Sequence, residues 1–242
     1  HTLAERVLAP DLQRATGRTL DPHGVSALLA GIVAAYSLDR VLDPHPDIDS
    51  QAPSRASRLL RPLLGATGAI AAAFCMWHAW QLPLATSALM PLLGVAALAY
   101  PRLKQVPVTK TVALPLVWTW AAIALPLADG SWFGWRALLE PVAAPLFCLI
   151  AAGCLLCDLK DEAADRESGV RSLPAMLGGR ATVYVALALV CTAGMLALVE
   201  HRPGLAIGAA ALGLATTWPA LLARESTGPL VVDMILSIPG LL

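Results

Sequence analysis

Residues 154–179 read "CLLCDLKDEAADRESGVRSLPAMLGG", and within them the chain changes character. An apolar run ends in Asp158, Asp161 and Asp165, spaced three and four residues apart. On a helix that spacing puts the three carboxylates on one face. Carboxylates so placed repel one another unless cations neutralise them. A single aspartate at the end of an apolar helix is ordinary solvated charge; a spaced set of three asks for a ligand.

The rest of the chain says what kind of molecule carries this face. Of its 242 residues, 57% are hydrophobic and only 14% charged, with mean hydropathy +0.66. A soluble domain carries about 25% charged residues, so a soluble enzyme is excluded on composition. The 17 basic and 17 acidic side chains cancel, which gives no reason to expect a nucleic acid partner. Apolar blocks run roughly over 24–38, 57–80, 82–99, 111–128, 136–158, 180–199, 204–222 and 229–242. Several have the length, about 20 residues, that crosses a bilayer core. The expected fold is all-α: one polytopic transmembrane helical bundle spanning 1–242. Pro91, Pro115 and Pro145 inside blocks are tolerated in bundled membrane helices. The runs "GATGAIAAA" and "AIGAAALGLA" suit close helix approach.

The basic residues orient this bundle. Arg40, Arg55, Arg58 and Arg61, then Arg102, Lys104 and Lys110, then Lys160, Arg166, Arg171 and Arg180, and finally Arg224, fall in alternate connections. The opposite connections hold Arg136 and Arg202. The first side is therefore expected to be cytoplasmic. Trp77, Trp80, Trp132 and Trp135 gather at the other ends of the blocks, as an outer aromatic belt does. Arg6, Arg14 and Arg18 do not fit this alternation unless another helix precedes them. No charged leader with a cleavage site is visible at the start, His1.

A second acidic group lies on the same expected side. In "YSLDRVLDPHPDIDS", residues 36–50, Asp39 and Asp43 are four apart and share a helical face. Mg²⁺ suits carboxylates gathered this way, because it takes one or two of them, keeps waters and binds phosphate oxygens. The cytoplasmic connections supply counter-charge. Arg40 sits beside Asp39, and "YPRLKQVPVTK" places Arg102, Lys104 and Lys110 next to Tyr100. Arg171 follows the second acidic group. Lys and Arg bind phosphate as point charge and as fork. Carboxylates for Mg²⁺ and separate cations, at the mouth of an apolar bundle, point to a diphosphate with a lipid tail.

Asp158, Asp161, Asp165 and Gly169, followed by Ser172-Leu173-Pro174 and Gly178, resemble the second motif of the UbiA superfamily of intramembrane prenyltransferases, D-x-x-D-x-x-x-D-x-x-x-G with its Ser/Thr-Leu-Pro turn. The "YPRLK" loop is similar to that family's Tyr-Pro-x-x-Lys loop. Block count and motif order resemble the family across nearly the whole chain. The resemblance implies a nine-helix fold of which about eight helices are visible, the first lying before residue 1. It also implies that Asp39, Asp43, Asp158, Asp161 and Asp165 hold Mg²⁺ and carry catalysis. Arg40, Tyr100, Arg102, Lys104, Lys110 and Arg171 then bind the diphosphate of an isoprenyl donor, and an acceptor, usually aromatic, captures the allylic cation. The first motif departs from the family's N-D-x-x-D-x-x-x-D: its Asn falls on Ala35 and its first Asp on Tyr36. Gln105 replaces a frequent basic residue of the loop. Three readings stay open: a transferase, a cyclase using the same ionisation without acceptor, and a non-catalytic lipid-binding or transport protein on the same fold.

Outside these motifs, Asp233 stands inside the last apolar block, either facing the reaction cavity or paired with Arg224 or a hydroxyl. Trp118 and Trp120 are core packing first and cation-stabilising rings second. His45 reads as a loop histidine. The five cysteines, Cys75, Cys148, Cys154, Cys157 and Cys191, all sit in apolar blocks. They behave as small hydrophobes, and Cys154-x-x-Cys157 has no second pair or nearby His for zinc.

Overall fold

The structure is a computed structural model that describes residues 21–42, 55–88, 90–91, 93–95, 109–127, 134–222, 231–232 and 234–236. Among these residues every regular element is helical. The apolar blocks become α1 (Pro22–Leu42), α2 (Arg55–Trp80), α3 (Leu84–Ser87), α4 (Leu114–Ala124), α5 (Ala143–Cys157), α6 (Glu162–Ser168), α7 (Leu173–Leu177), α8 (Gly179–Val199), α9 (Pro203–Ala215) and α10 (Pro219–Leu222). A π-helical turn, Thr109–Ala113, leads into α4, and 3₁₀ turns cover Gly134–Leu139 and Asp158–Asp161. Among the described residues, three stretches are long and apolar enough to cross a membrane: Pro62–Trp80, Ala143–Glu167 and Gly179–Val199. By length and composition they are suited to span a bilayer.

Two compact units divide the chain. One comprises Leu20–Leu103 with Ala124–Gly134, and the other His1–Thr19, Lys104–Ile123 and Trp135–Leu242. The first unit is built on the α1–α2 hairpin. Asp21 caps α1: its Oδ1 accepts the backbone N–H of His23 at 2.8 Å and of Gly24 at 3.4 Å. Pro22 stands at the first helical position, where its missing N–H costs nothing. The two helices approach through small residues. A Cβ on Gly68 would lie 3.0 Å from Ser37, and Cys75 Sγ donates to the Ala27 carbonyl at 3.2 Å. Where α1 begins and α2 ends, His23 Nδ1 and His78 Nδ1 stand 3.1 Å apart, with Phe74 edge-on to His78. The other face of α2 is apolar and exposed through Ile70, Phe74, Trp77 and Trp80, as a lipid-facing surface is.

In the second unit α5 is the enclosed helix, buried along Leu149, Ala151, Ala152, Gly153, Leu155 and Leu156. It packs on α8, α9 and the π turn. Pro145 sits in its first turn, where no intrahelical bond is lost. The α8 side of this core is a single stripe, Thr182, Ala186, Val190, Ala193 and Ala197. Gly194 and Gly213 let α8 and α9 close up, with Ala209 and Val190 at 3.6 and 3.3 Å from the Cβ each would carry. Tyr184, Met195, Leu198 and Val199 lie on the exposed side.

Blocks 136–158 and 204–222 are not continuous α-helices. Block 136–158 starts as a 3₁₀ turn and becomes α-helical only after Pro141. Block 204–222 stops at Ala215, because Thr216 and Thr217 turn their hydroxyls back onto the Gly213 and Leu214 carbonyls at 2.6 and 2.7 Å, and Pro219 follows.

Candidate active site

The acidic stretch takes its shape from where α5 ends. The backbone does not continue as α-helix through Asp158; it tightens into the 3₁₀ turn Asp158–Asp161 and then reopens as α6. Residues three apart eclipse in a 3₁₀ turn, so Asp158 and Asp161 are brought over each other more directly than on the α-helix expected from spacing. Asp161 and Asp165 are then one α-helical turn apart. Leu159 is the buried anchor of the turn, and Asp158, Asp161 and Asp165 are all half-buried. Lys160 Nζ donates to Asp161 Oδ1 at 2.7 Å. Spacing arguments pass over Lys160, yet it supplies the first counter-charge to the face.

Glycine and serine complete the motif for backbone reasons. Gly169 ends α6 in the left-handed region at φ 73°, and the Asp165 carbonyl accepts both its N–H and that of Val170, the latter at 2.8 Å. Ser172 caps α7, accepting the N–H of Ala175 at 3.4 Å, with Pro174 in the first turn. Gly178, at φ 85°, turns the chain directly into α8. Arg171 lies exposed between the two caps.

Of the other expected site residues, Asp39 and Arg40 fall in the last turns of α1, and Lys110 falls in the π turn that packs against α5. Nothing is described of these three side chains. Asp43, Tyr100, Arg102, Lys104 and Asp233 lie outside the described residues, as does His45. Val232 and Leu236, on either side of Asp233, approach Gly153 of α5. Among the described residues no three His, Cys, Asp or Glu side chains converge to hold a metal ion. The donors present are nonetheless hard carboxylate oxygens, and Mg²⁺ asks for only one or two of them. The donor set therefore fits Mg²⁺ shared with another element or with a phosphate.

The profile of the UbiA prenyltransferase family matches residues 15–230. The chain belongs to this family. The match spans all the acidic positions named above except Asp233. Among solved structures, the chain is similar to the apo structure of a UbiA homologue from Aeropyrum pernix K1, with a TM-score of 0.65 and 20% identity, covering 99% of this chain and 88% of that one. At that identity the likeness shows the fold alone, an all-helical UbiA-like membrane fold. No curated protein matches the chain. Membership makes the activity prenyltransferase-type at the level of the family.

Proposed function

We propose that the chain is a Mg²⁺-dependent intramembrane transferase, a single UbiA-like domain that ionises an isoprenyl diphosphate and passes the prenyl group to an aromatic or lipid-like acceptor. The observation that carries this reading is the second acidic motif. Asp158, Asp161 and Asp165 are displayed from a 3₁₀ turn and one helical turn at the exit of the enclosed helix α5, closed by the Gly169 and Ser172 caps. The family generally holds Mg²⁺ with such motifs and acts on prenyl diphosphates. Asp39 and Asp43 complete the carboxylate set, and Arg40, Tyr100, Arg102, Lys104, Lys110 and Arg171 bind the diphosphate. The Lys/Arg asymmetry supports a cytoplasmic position for both acidic groups.

In the reaction the bond between the allylic carbon and the diphosphate oxygen breaks, and its electron pair leaves with the diphosphate. Asp39, Asp43, Asp158, Asp161 and Asp165 would hold Mg²⁺, which would supply positive charge for the departing diphosphate. The cationic side chains bind and orient the same group in a water-poor site, where charge stabilisation is strongest. The allylic cation is captured by the acceptor, which loses a proton. The alternative outcome is capture by the donor's own double bonds to give a cyclic hydrocarbon. Ala35 and Tyr36, standing where the family's first motif carries Asn and Asp, are the departure from ordinary prenyl transfer that motivates testing for it.

The test is to incubate purified protein with Mg²⁺ and geranyl, farnesyl or geranylgeranyl diphosphate, with and without lipid extract. Diphosphate release is expected, and Asp161→Ala should lower it about 10²-fold or more. A cyclic hydrocarbon formed without acceptor would select the cyclase. Tight diphosphate binding with no release from any donor would select the non-catalytic protein.

A further inference from the structure

By charge alone Glu162 is one more acid in the cluster, directly after Asp161. Its contacts set it apart. Oε1 accepts from Arg166 Nη2 at 2.9 Å. Oε2 lies 2.8 Å from the point where a Cβ on Gly179 would stand, and Leu159 Cδ2 lies 3.7 Å from the same point. Gly179 is the first residue of α8. The acidic turn and α8 thus meet at a residue with no side chain, and a carboxylate fills the room left there. The first turn of a helix carries unsatisfied N–H groups and partial positive charge. Placing the carboxylate there and giving its other oxygen to Arg166 accommodates the charge away from the aspartates.

We propose that Glu162 is a positioning residue: seated on Gly179, its carboxylate ties α6 to the start of α8 and so fixes Asp161 and Asp165, and glycine at 179 keeps that seat open. The proposal rests on the Mg²⁺ reading of the acidic face. Residues that orient metal ligands typically change metal affinity 10–100-fold when removed.

Gly179 gives an independent handle on the seat. Its φ lies outside the left-handed region, and the atom an added Cβ meets is the end of a flexible side chain. Gly179→Ala therefore displaces the carboxylate without straining the backbone. The experiment measures Mn²⁺ binding by electron paramagnetic resonance, amide exchange over 162–168 and thermal stability, on the full chain in detergent. It compares wild type, Glu162→Ala, Gly179→Ala and the double variant. Each single variant is expected to bind Mn²⁺ about 10-fold more weakly, exchange faster over 162–168 and melt as wild type does. The double variant should bind no more weakly than Glu162→Ala, because the two changes remove one contact. Wild-type binding and exchange in both single variants would overturn the proposal, as would losses that multiply in the double. A wild-type chain that takes up no Mn²⁺ refutes the Mg²⁺ reading instead. The exchange over 162–168 then still decides the seat, faster in both single variants upholding it and unchanged in both overturning it.

Discussion

Gly169 and Ser172 set the acidic segment by backbone chemistry rather than by charge. A Cβ in the left-handed region crowds the following carbonyl, so Gly169→Ala, at φ 73°, should destabilise the protein by about 1–2 kcal/mol. Ser172→Ala leaves the Ala175 N–H without its cap and should cost about 1 kcal/mol. Thermal unfolding in detergent checks both. The Lys160–Asp161 pair contributes less than its 2.7 Å length suggests, because its side chains keep 23% and 36% of their exposure. Solvent screens such a pair to about 1 kcal/mol at most, so its consequence is orientation of Asp161 rather than stability. Asp161 was legible in the sequence from its spacing, and Gly169 and Ser172 from the motif they resemble; the role of Lys160 was not. Nor was the 3₁₀ tightening over Asp158–Asp161, because α and 3₁₀ turns differ by one hydrogen-bond register that residue types do not specify.

At the scale of elements, α5 supplies the rigid base of the site. It is more buried than the Gly179–Val199 span of the same unit and delivers Asp158 at its C-terminal end, so the carboxylates emerge from a well-packed helix. The start of α1 sits tightly against the turn at residues 125–127. The Asp21 N–H donates to the Pro126 carbonyl at 2.8 Å, and a Cβ on Gly24 would collide with the Leu125 carbonyl. Backbone cannot yield as a side-chain tip does. Gly24→Ala should therefore destabilise by about 1–3 kcal/mol, measured by the same thermal assay; an unchanged melt would mean that this approach is not close. The small-residue runs in α2 and α9 suited close helix approach in the sequence, and both helices pack closely on a neighbour. The pairing of His23 with His78, 55 residues apart, could not be read there, because it depends on how two helices of different length align.

For the whole molecule, apolar length and composition place the chain in a bilayer, and the distribution of Lys and Arg is the basis of the orientation proposed above. The topology has a direct check. In a cysteine-free background, Arg171→Cys lies on the exposed link between α6 and α7. It should react with a membrane-impermeant maleimide in inverted vesicles and not in intact cells. Labelling from outside would reverse the orientation argued for both acidic groups. The sequence by itself determined a helical membrane protein and its family, and it singled out the carboxylates proposed above as its site, since hydropathy and motif spacing are local properties of the chain. Only the tertiary structure decided that Glu162 leaves the acidic face to sit on Gly179, that Lys160 answers Asp161, and that α5 is the enclosed helix. Those facts depend on which of many similar Leu, Ala and Gly surfaces meet, and such surfaces are told apart by shape once packed.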